Sequence, residues 1–295
     1  CEYLLAQGVR VFGGDMLPEW SHDKVGYSTV DILDVAELTR LLKDAAPTQV
    51  YHLAGVSYPP DADASPRRSL DINIMGCVSL LDAVREACPQ ATALVVGSSK
   101  VYDDTVIDGP VSEDAPVAPR SFYGISKYAA EMIGGRFVSQ MGLDVRFTRS
   151  FNHTGPGQSP RFVCSDWASQ IAAMNTGQRE PALRVGDTSV EIDFTDVRDV
   201  VRAYHAIVTA GTRGRVYNVC SGRTVPLRTV LDYLCAKSTE QVAVTTDESR
   251  MRGHATSRKL TGDSRRLREE TGWEPRIPLE QTLDDLFAYW QAVSD

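Results

Sequence analysis

Long hydrophobic runs are missing from this 295-residue chain: stretches such as residues 93–97 fall far short of the ~20 apolar residues a membrane-spanning helix needs. Surplus positive charge is missing too. Thirty-one Lys and Arg stand against 39 Asp and Glu, a net charge of −8. That balance argues against nonspecific nucleic-acid binding, while leaving room for a local basic pocket around a small phosphorylated molecule. The six cysteines (Cys1, Cys77, Cys88, Cys164, Cys220, Cys235) include no Cys-x-x-Cys pair, and the five histidines form no cluster with them or with acids. Neither a zinc site nor a secreted disulfide framework has that spacing, so no metal is expected, and the thiols read as free or buried in a reducing cytoplasm. An opening Met and a signal peptide are also lacking. With 42% hydrophobic and 24% charged residues, what remains is a globular composition, long enough to bury a core without staples.

Leu4 and Leu5 followed by Gly8 read as the last turn and cap of a helix, and residues 9–13 as a strand. A chain that opens inside a helix is expected to have lost what precedes it. From there, strand-like segments 49–54, 93–97, 145–149 and 215–219 alternate with helical patterns at 36–45, 70–87, 123–140 and 197–209. In 70–87, Ile74, Val78, Leu81 and Val84 recur at helical spacing. This rhythm predicts right-handed βαβ crossovers and an α/β, Rossmann-type doubly wound parallel sheet covered on both faces. After Asn152 the rhythm breaks: residues 153–160 read as a loop, a helix follows around 165–176, and short strands run to Asp193. Residues after Gly222 form further helices ending near 279–291. The expected division is a main domain of residues 1–152 plus 194–222 and a smaller C-terminal α/β substrate domain of 153–193 plus 223–295.

Tyr123-Gly124-Ile125-Ser126-Lys127 puts a phenol and an ammonium one turn apart on one helix face. A nearby ammonium stabilises phenolate, so the Tyr123 pKa is expected to fall toward working pH, suiting it to alcohol–ketone proton transfer. A surface Tyr and Lys on an amphipathic helix would look the same. Upstream, the strand at 93–97 ends in Ser98-Ser99-Lys100-Val101-Tyr102. Loops at the carboxyl ends of parallel strands line the ligand crevice. There Ser98 could bond a substrate carbonyl, or merely cap a turn. Another strand ends in His52-Leu53-Ala54-Gly55, where small residues let a flat cofactor approach the backbone. Asn73 lies inside an otherwise apolar helix, as a functional amide or a satisfied buried one.

Together these residues resemble the extended short-chain dehydrogenase/reductase (NAD-dependent epimerase/dehydratase) family, whose members act on nucleotide sugars with NAD(P). The likeness runs from Val9 to Thr271-Gly272-Trp273-Glu274-Pro275. Residues 149–158, Arg161-Phe162-Val163, the 193–199 block and the 216–222 block are similar to its branch of GDP-6-deoxy-4-keto-mannose reductases and GDP-mannose 4,6-dehydratases. The resemblance implies that Ser98 polarises the sugar carbonyl, Tyr123 is the acid/base, and Lys127 holds the nicotinamide ribose. It further implies cofactor contacts at Asp15, Asp31, Ile32, Leu53, Ala54, Gly55 and Ser150, in addition to Tyr123 and Lys127. Substrate contacts fall on Ser57, Ser99, Asn152, Phe162, Val163 and Arg252, with Arg252 gripping the diphosphate through its planar fork. The main domain would be the NAD(P)-binding one. A carboxylate at Asp15 repels a 2′-phosphate, which favours NAD(H) and leaves NADP(H) as the alternative.

Three positions depart from the family pattern. The Gly-rich phosphate loop, expected on a strand just before Cys1, does not occur, so a preceding βα unit of roughly 15–20 residues is expected, without which NAD binds poorly. Lys100 stands where dehydratases carry a carboxylate, which disfavours dehydration. Ile192 replaces an Arg that helps hold the diphosphate. The leading expectation is an NAD(P)-dependent reductase of a nucleotide-linked 4-keto-6-deoxy sugar, GDP-linked by preference. The alternatives are a cofactor-retaining 4-epimerase or related dehydratase, and a non-catalytic sensor on the same fold. Relatives dimerise through helices 70–87 and 123–140, so a homodimer is a family expectation.

Overall fold

The structure, a computed structural model, describes residues 1–18, 22–103, 109–250 and 259–294. Helix α1 (Glu2–Ala6) leads through Gly8 into the parallel pair β1 (Val11–Asp15) and β2 (Val25–Thr29). Then come α2 (Val35–Ala45), β3 (Gln49–His52), α3 (Pro59–Ala64), α4 (Pro66–Leu70), α5 (Gly76–Ala87), β4 (Thr92–Ser98), α6 (Phe122–Met141) and β5 (Asp144–Ser150). The chain continues through β6 (Asn152–Thr154), α7 (Val163–Asn175), β7 (Ala182–Val185), β8 (Glu191–Asp196), α8 (Val197–Ala210) and β9 (Val216–Val219). It ends with β10 (Thr224–Pro226), α9 (Leu227–Cys235), β11 (Ala243–Thr246), β12 (Lys259–Leu260), α10 (Arg265–Thr271) and α11 (Leu279–Ser294).

Strands β3-β4-β5-β9 form an all-parallel sheet in that order. Its central strand β4 is apolar from Ala93 to Val96, as a strand covered on both faces requires. On one face, Leu38, Leu81, Val84, Val145 and Phe147 join α2, α5 and α6 to the sheet. Leu94, Val200, Ile207, Tyr217 and Leu267 join α8 and α10 to the other. Such burial is the main stabilising term, about 1.5–3 kcal/mol for each fully buried large aliphatic side chain. A third core, including Trp167, Ile171, Leu183, Phe194, Leu231 and Leu286, is built by α7, α9 and α11 against β7 and β8. The expected α/β class with a parallel, doubly wound sheet is what the chain forms. Among the described residues no ladder joins the β1-β2 pair to the β3 edge.

Several local expectations change. The helix expected over 70–87 is interrupted: α4 and α5 flank a π-turn at Asp71–Met75 that carries Asn73. The 153–160 loop starts with a strand, because β6 pairs with β8 through His153↔Thr195 and Thr154↔Asp196. Strand β2 is an addition; its Val-Gly-Tyr-Ser-Thr sequence carries little apolar signal. Asp193 on β8 binds distant loops together, accepting from the amides of Ser221, Gly222 and Gly262 and from the Ser221 hydroxyl. Its neighbour Ile192 packs on the third core and pairs with Val225 and Leu260, which explains an apolar residue there.

Candidate active site

Ser98 is the last residue of β4, and its Oγ accepts the Lys100 amide at 3.2 Å, capping the short turn Ser99–Val101. The capping reading is therefore correct. Helix α6 starts at Ser121, whose Oγ accepts the Gly124 amide at 3.1 Å. A Cβ on Gly124 would run into the Lys100 carbonyl oxygen, so only glycine lets the first turn of α6 settle on the turn after β4. That approach brings Tyr123 close enough to Ser98 for the serine hydroxyl to act on its phenol.

Burial raises the Tyr123 pKa above its ordinary 10.0, and the Ser98 hydrogen bond works in the opposite direction. This corrects the expectation that Lys127 pulls the phenol down. The Lys127 Nζ lies 6.0 Å from the Tyr123 ring centroid and donates to the Val96 carbonyl at 2.9 Å. Burial lowers the Lys127 pKa to about 8, opposed by Cys77 nearby. His52, buried at the end of β3, is held neutral: burial and the Lys127 charge lower its pKa to about 3.

Asn73 resolves as a satisfied buried amide that also builds the site. Its Oδ1 accepts the Val56 amide at 2.8 Å, and its Nδ2 donates to the Val56 carbonyl at 3.1 Å and to Ser126 Oγ at 2.9 Å. Ser126 in turn donates to the Tyr123 carbonyl at 2.8 Å. One side chain thus ties the loop after β3 to the helix turn that carries Tyr123 and Lys127. A Cβ on Gly55 would sit 2.8 Å from Asn73 Oδ1 and 3.7 Å from Lys127 Nζ. Leu53, Ala54 and Gly55 are exposed, leaving a bare backbone shelf beside the Lys127 ammonium that a flat, extended ligand can lie on.

The remaining predicted residues are spread around this centre. Asp15 ends β1 exposed, with Oδ1 accepting the Leu17 amide at 3.1 Å. Asp31 lines a cleft and accepts the Leu33 amide at 2.9 Å, whereas the Ile32 side chain packs against Gly76. Ser150 lies opposite Ser98 across β4 and β5, buried, with its Oγ 2.8 Å from the Tyr204 hydroxyl. Ser99 is buried; Ser57 and Asn152 are exposed. Phe162 caps the start of α7 and Val163 is its first residue. Arg252 lies outside the described residues. Sequence reasoning missed the partnership of Asn73 with Ser126, although Ser126 stands inside the Tyr123–Lys127 motif. It also missed a clasp between the start of α3 and the segment before α7: Arg161 pairs bidentately with Asp61 and stacks 4.2 Å from the Tyr58 ring centroid. Tyr58 meets Phe162 edge-on, with ring centroids 5.5 Å apart.

Among the described residues no helix is long and apolar enough to cross a membrane, and no group of three or more His, Cys, Asp or Glu could hold a metal ion. A parallel doubly wound sheet with Ser, Tyr and Lys gathered at a strand's carboxyl end defines a nucleotide-sugar oxidoreductase of the epimerase/dehydratase superfamily. The chain belongs to the family described as GDP-mannose 4,6 dehydratase, whose profile matches residues 15–286. It is 37% identical over 247 residues to the GDP-6-deoxy-D-mannose reductase of Pseudomonas aeruginosa, covering 83% of this chain and 81% of that one. It is 30% identical over 273 residues to a dTDP-glucose 4,6-dehydratase of Xanthomonas campestris pv. campestris, covering 86% and 75%. Among solved structures, RMD from Pseudomonas aeruginosa complexed with NADPH superimposes with a TM-score of 0.84 at 34% identity, covering 92% of each chain.

Proposed function

We propose that the protein is an NAD(P)H-dependent reductase of a nucleotide-linked 4-keto-6-deoxy sugar, with GDP-4-keto-6-deoxymannose as the favoured substrate. The observation that carries this reading is the nearness of Ser98 to Tyr123, one turn from Lys127. The likeness to a reductase named for a GDP-linked deoxysugar supports the substrate class. The bare shelf at Leu53, Ala54 and Gly55 fits a dinucleotide, which when bound supplies the hydride for sugar C4. Tyr123, its phenol kept protonated by burial, delivers the proton to the sugar oxygen. Ser98 donates to that oxygen as charge develops on it. Lys127 holds the nicotinamide ribose, and its link to the Val96 carbonyl fixes the ammonium. Asp15, Asp31, Ile32 and Ser150 belong to the cofactor side. Ser57, Ser99, Asn152, Phe162, Val163 and Arg252 belong to the substrate side. This reading assigns residues 1–152 plus 194–222 to cofactor and 153–193 plus 223–295 to nucleotide sugar.

The protein is further read as a cytoplasmic homodimer. Exposed Met75, just before α5, and exposed Phe122, Ile125 and Met132 on α6 support an interface there, since exposed apolar side chains favour association. The test of function incubates the full-length protein with NADPH or NADH and GDP-4-keto-6-deoxymannose, following loss of reduced-nicotinamide absorbance. Stoichiometric loss that Tyr123→Phe slows by about 100- to 10,000-fold supports the reading. Turnover of sugar with no net cofactor oxidation sinks it in favour of a cofactor-retaining epimerase.

A further inference from the structure

The segment that leads from β3 into α3 is tied down at two places. At the first, Asn73 takes both backbone groups of Val56. At the second, Asp61 in the first turn of α3 accepts both arms of the Arg161 guanidinium, with Arg161 Nη1 2.7 Å from Asp61 Oδ2. The same guanidinium stacks 4.2 Å from the Tyr58 ring centroid, and Tyr58 meets Phe162 edge-on. Four side chains thus join two segments that lie 100 residues apart in the chain. Helix α3 packs against α6, whereas α7, which starts two residues after Arg161, belongs to the third core. Among the described residues no other hydrogen bond or ion pair joins Pro59–Ala64 to residues 153–193.

As a strut for the fold this pair does little. The Arg161 and Asp61 side chains are 50% and 46% exposed, and ion pairs so open to water add little to stability. The Arg161 hydrogen bonds, then the Arg161 and Arg68 charges, hold the Asp61 carboxyl below its ordinary 3.8, so the pair is charged at neutral pH. What the clasp fixes is the relative placement of the residues beside it. Exposed Ser57 lies between the two tied residues Val56 and Tyr58, and Phe162 and Val163 directly follow Arg161. We propose that Asp61 and Arg161 are positioning residues for the nucleotide sugar: their clasp holds Ser57 opposite the start of α7, at the separation the bound substrate needs. It thereby sets substrate affinity, given the substrate contacts at Ser57, Phe162 and Val163 on which the reductase reading rests. The reacting groups have supports of their own, Gly124 against Lys100 and Asn73 against Ser126, and neither passes through the clasp. The chemical step is therefore left to Ser98, Tyr123 and Lys127.

The test compares the full-length parent with Asp61→Asn, Arg161→Gln, Arg161→Lys and the combined Asp61→Asn/Arg161→Gln variant. Two readouts are taken: KM and kcat for GDP-4-keto-6-deoxymannose at saturating NADPH or NADH, and the calorimetric Kd for GDP-mannose. That second probe keeps the nucleotide and a hexose but has no keto group to reduce. Loss of the bidentate pair raises KM and Kd about 2- to 5-fold in Asp61→Asn. Loss of the stacked guanidinium as well raises them about 3- to 30-fold in Arg161→Gln. The combined variant goes no further than Arg161→Gln, because both changes remove one shared contact. Arg161→Lys falls between it and the parent, while kcat and cofactor Kd keep their parental values. Both side chains reach water, so the variants are expected to fold, and thermal denaturation checks that they do. Parental KM and Kd in Arg161→Gln overturn the proposal. So does a cofactor Kd that moves by the same factor, or a kcat that falls while KM holds. A parent that binds GDP-mannose but does not reduce the keto sugar overturns the reductase reading alone, and the Kd series then decides the role of the clasp. A parent that binds no GDP-mannose overturns both.

Discussion

Asn73→Ala is the substitution whose consequences the structure specifies most fully. Asn73 is 3% exposed and makes three hydrogen bonds, to both backbone groups of Val56 and to Ser126 Oγ. Truncation removes one of the two hydrogen bonds of the buried Ser126 hydroxyl, which keeps the Tyr123 carbonyl, and leaves the half-buried Val56 amide and carbonyl without partners. Each orphaned group costs about 1–3 kcal/mol when buried, and water can reach Val56, so the expected total is about 2–4 kcal/mol. For a chain of this size that corresponds to a fall in Tm of roughly 3–6 °C. Activity should fall further than stability alone explains, because the loop bearing Gly55 and the turn bearing Tyr123 lose their common tie. Asn73→Asp separates the two effects: the carboxylate keeps the Val56 amide bond, cannot donate to Ser126, and adds a charge near Lys127. Its Tm should lie between parent and Asn73→Ala, with the Lys127 titration moved upward. Thermal denaturation with kcat/KM on the same samples measures both. A Tm for Asn73→Ala within about 1 °C of the parent, with unchanged kcat/KM, would refute the reasoning.

Two further outcomes follow from the same geometry. Lys127 titrates near pH 8 rather than at the ordinary 10.5, so a rate that needs its ammonium declines as pH rises through about 8. Between these values the unfolded chain holds a proton that the folded chain has released, so this residue's contribution to stability increases with pH across that window. A kcat/KM profile flat to pH 10 would contradict this. Gly124→Ala pushes a Cβ against the Lys100 carbonyl and lifts the start of α6; a misplacement of about 1 Å between Ser98 and Tyr123 lowers kcat by about 100-fold. A Gly124→Ala enzyme with parental kcat would show that the close approach is not needed.

Much of this arrangement was legible in the sequence because its signals are local. Tyr123 and Lys127 share a helix face by spacing alone, and Ser98 ends an apolar strand in an α/β alternation that leaves few topologies. The parallel sheet followed from the same rhythm. What was not legible depends on partners far apart in the chain. Asn73 meets Ser126 across 53 residues, and Asp61 meets Arg161 across 100. Nothing in either local sequence announces those pairs. The π-turn at Asp71–Met75 is invisible to a periodicity of 3.6, since the apolar residues after it resume helical spacing. Strand β6 hides in a Gly- and Pro-rich segment and exists because β8 lies beside it. The raised Tyr123 pKa is not legible in the spacing, which reveals the ammonium but not the burial.

The most direct test of the central claim follows the hydride itself. The full-length protein is given NADPH deuterated at the transferable position and GDP-4-keto-6-deoxymannose, and the sugar product is examined by proton NMR and mass spectrometry. A reductase that protonates through Tyr123 yields one deuterium at sugar C4 for each cofactor oxidised, and Tyr123→Phe removes the transfer without abolishing cofactor binding. Sugar that turns over without acquiring deuterium, while the cofactor stays reduced, would contradict the account.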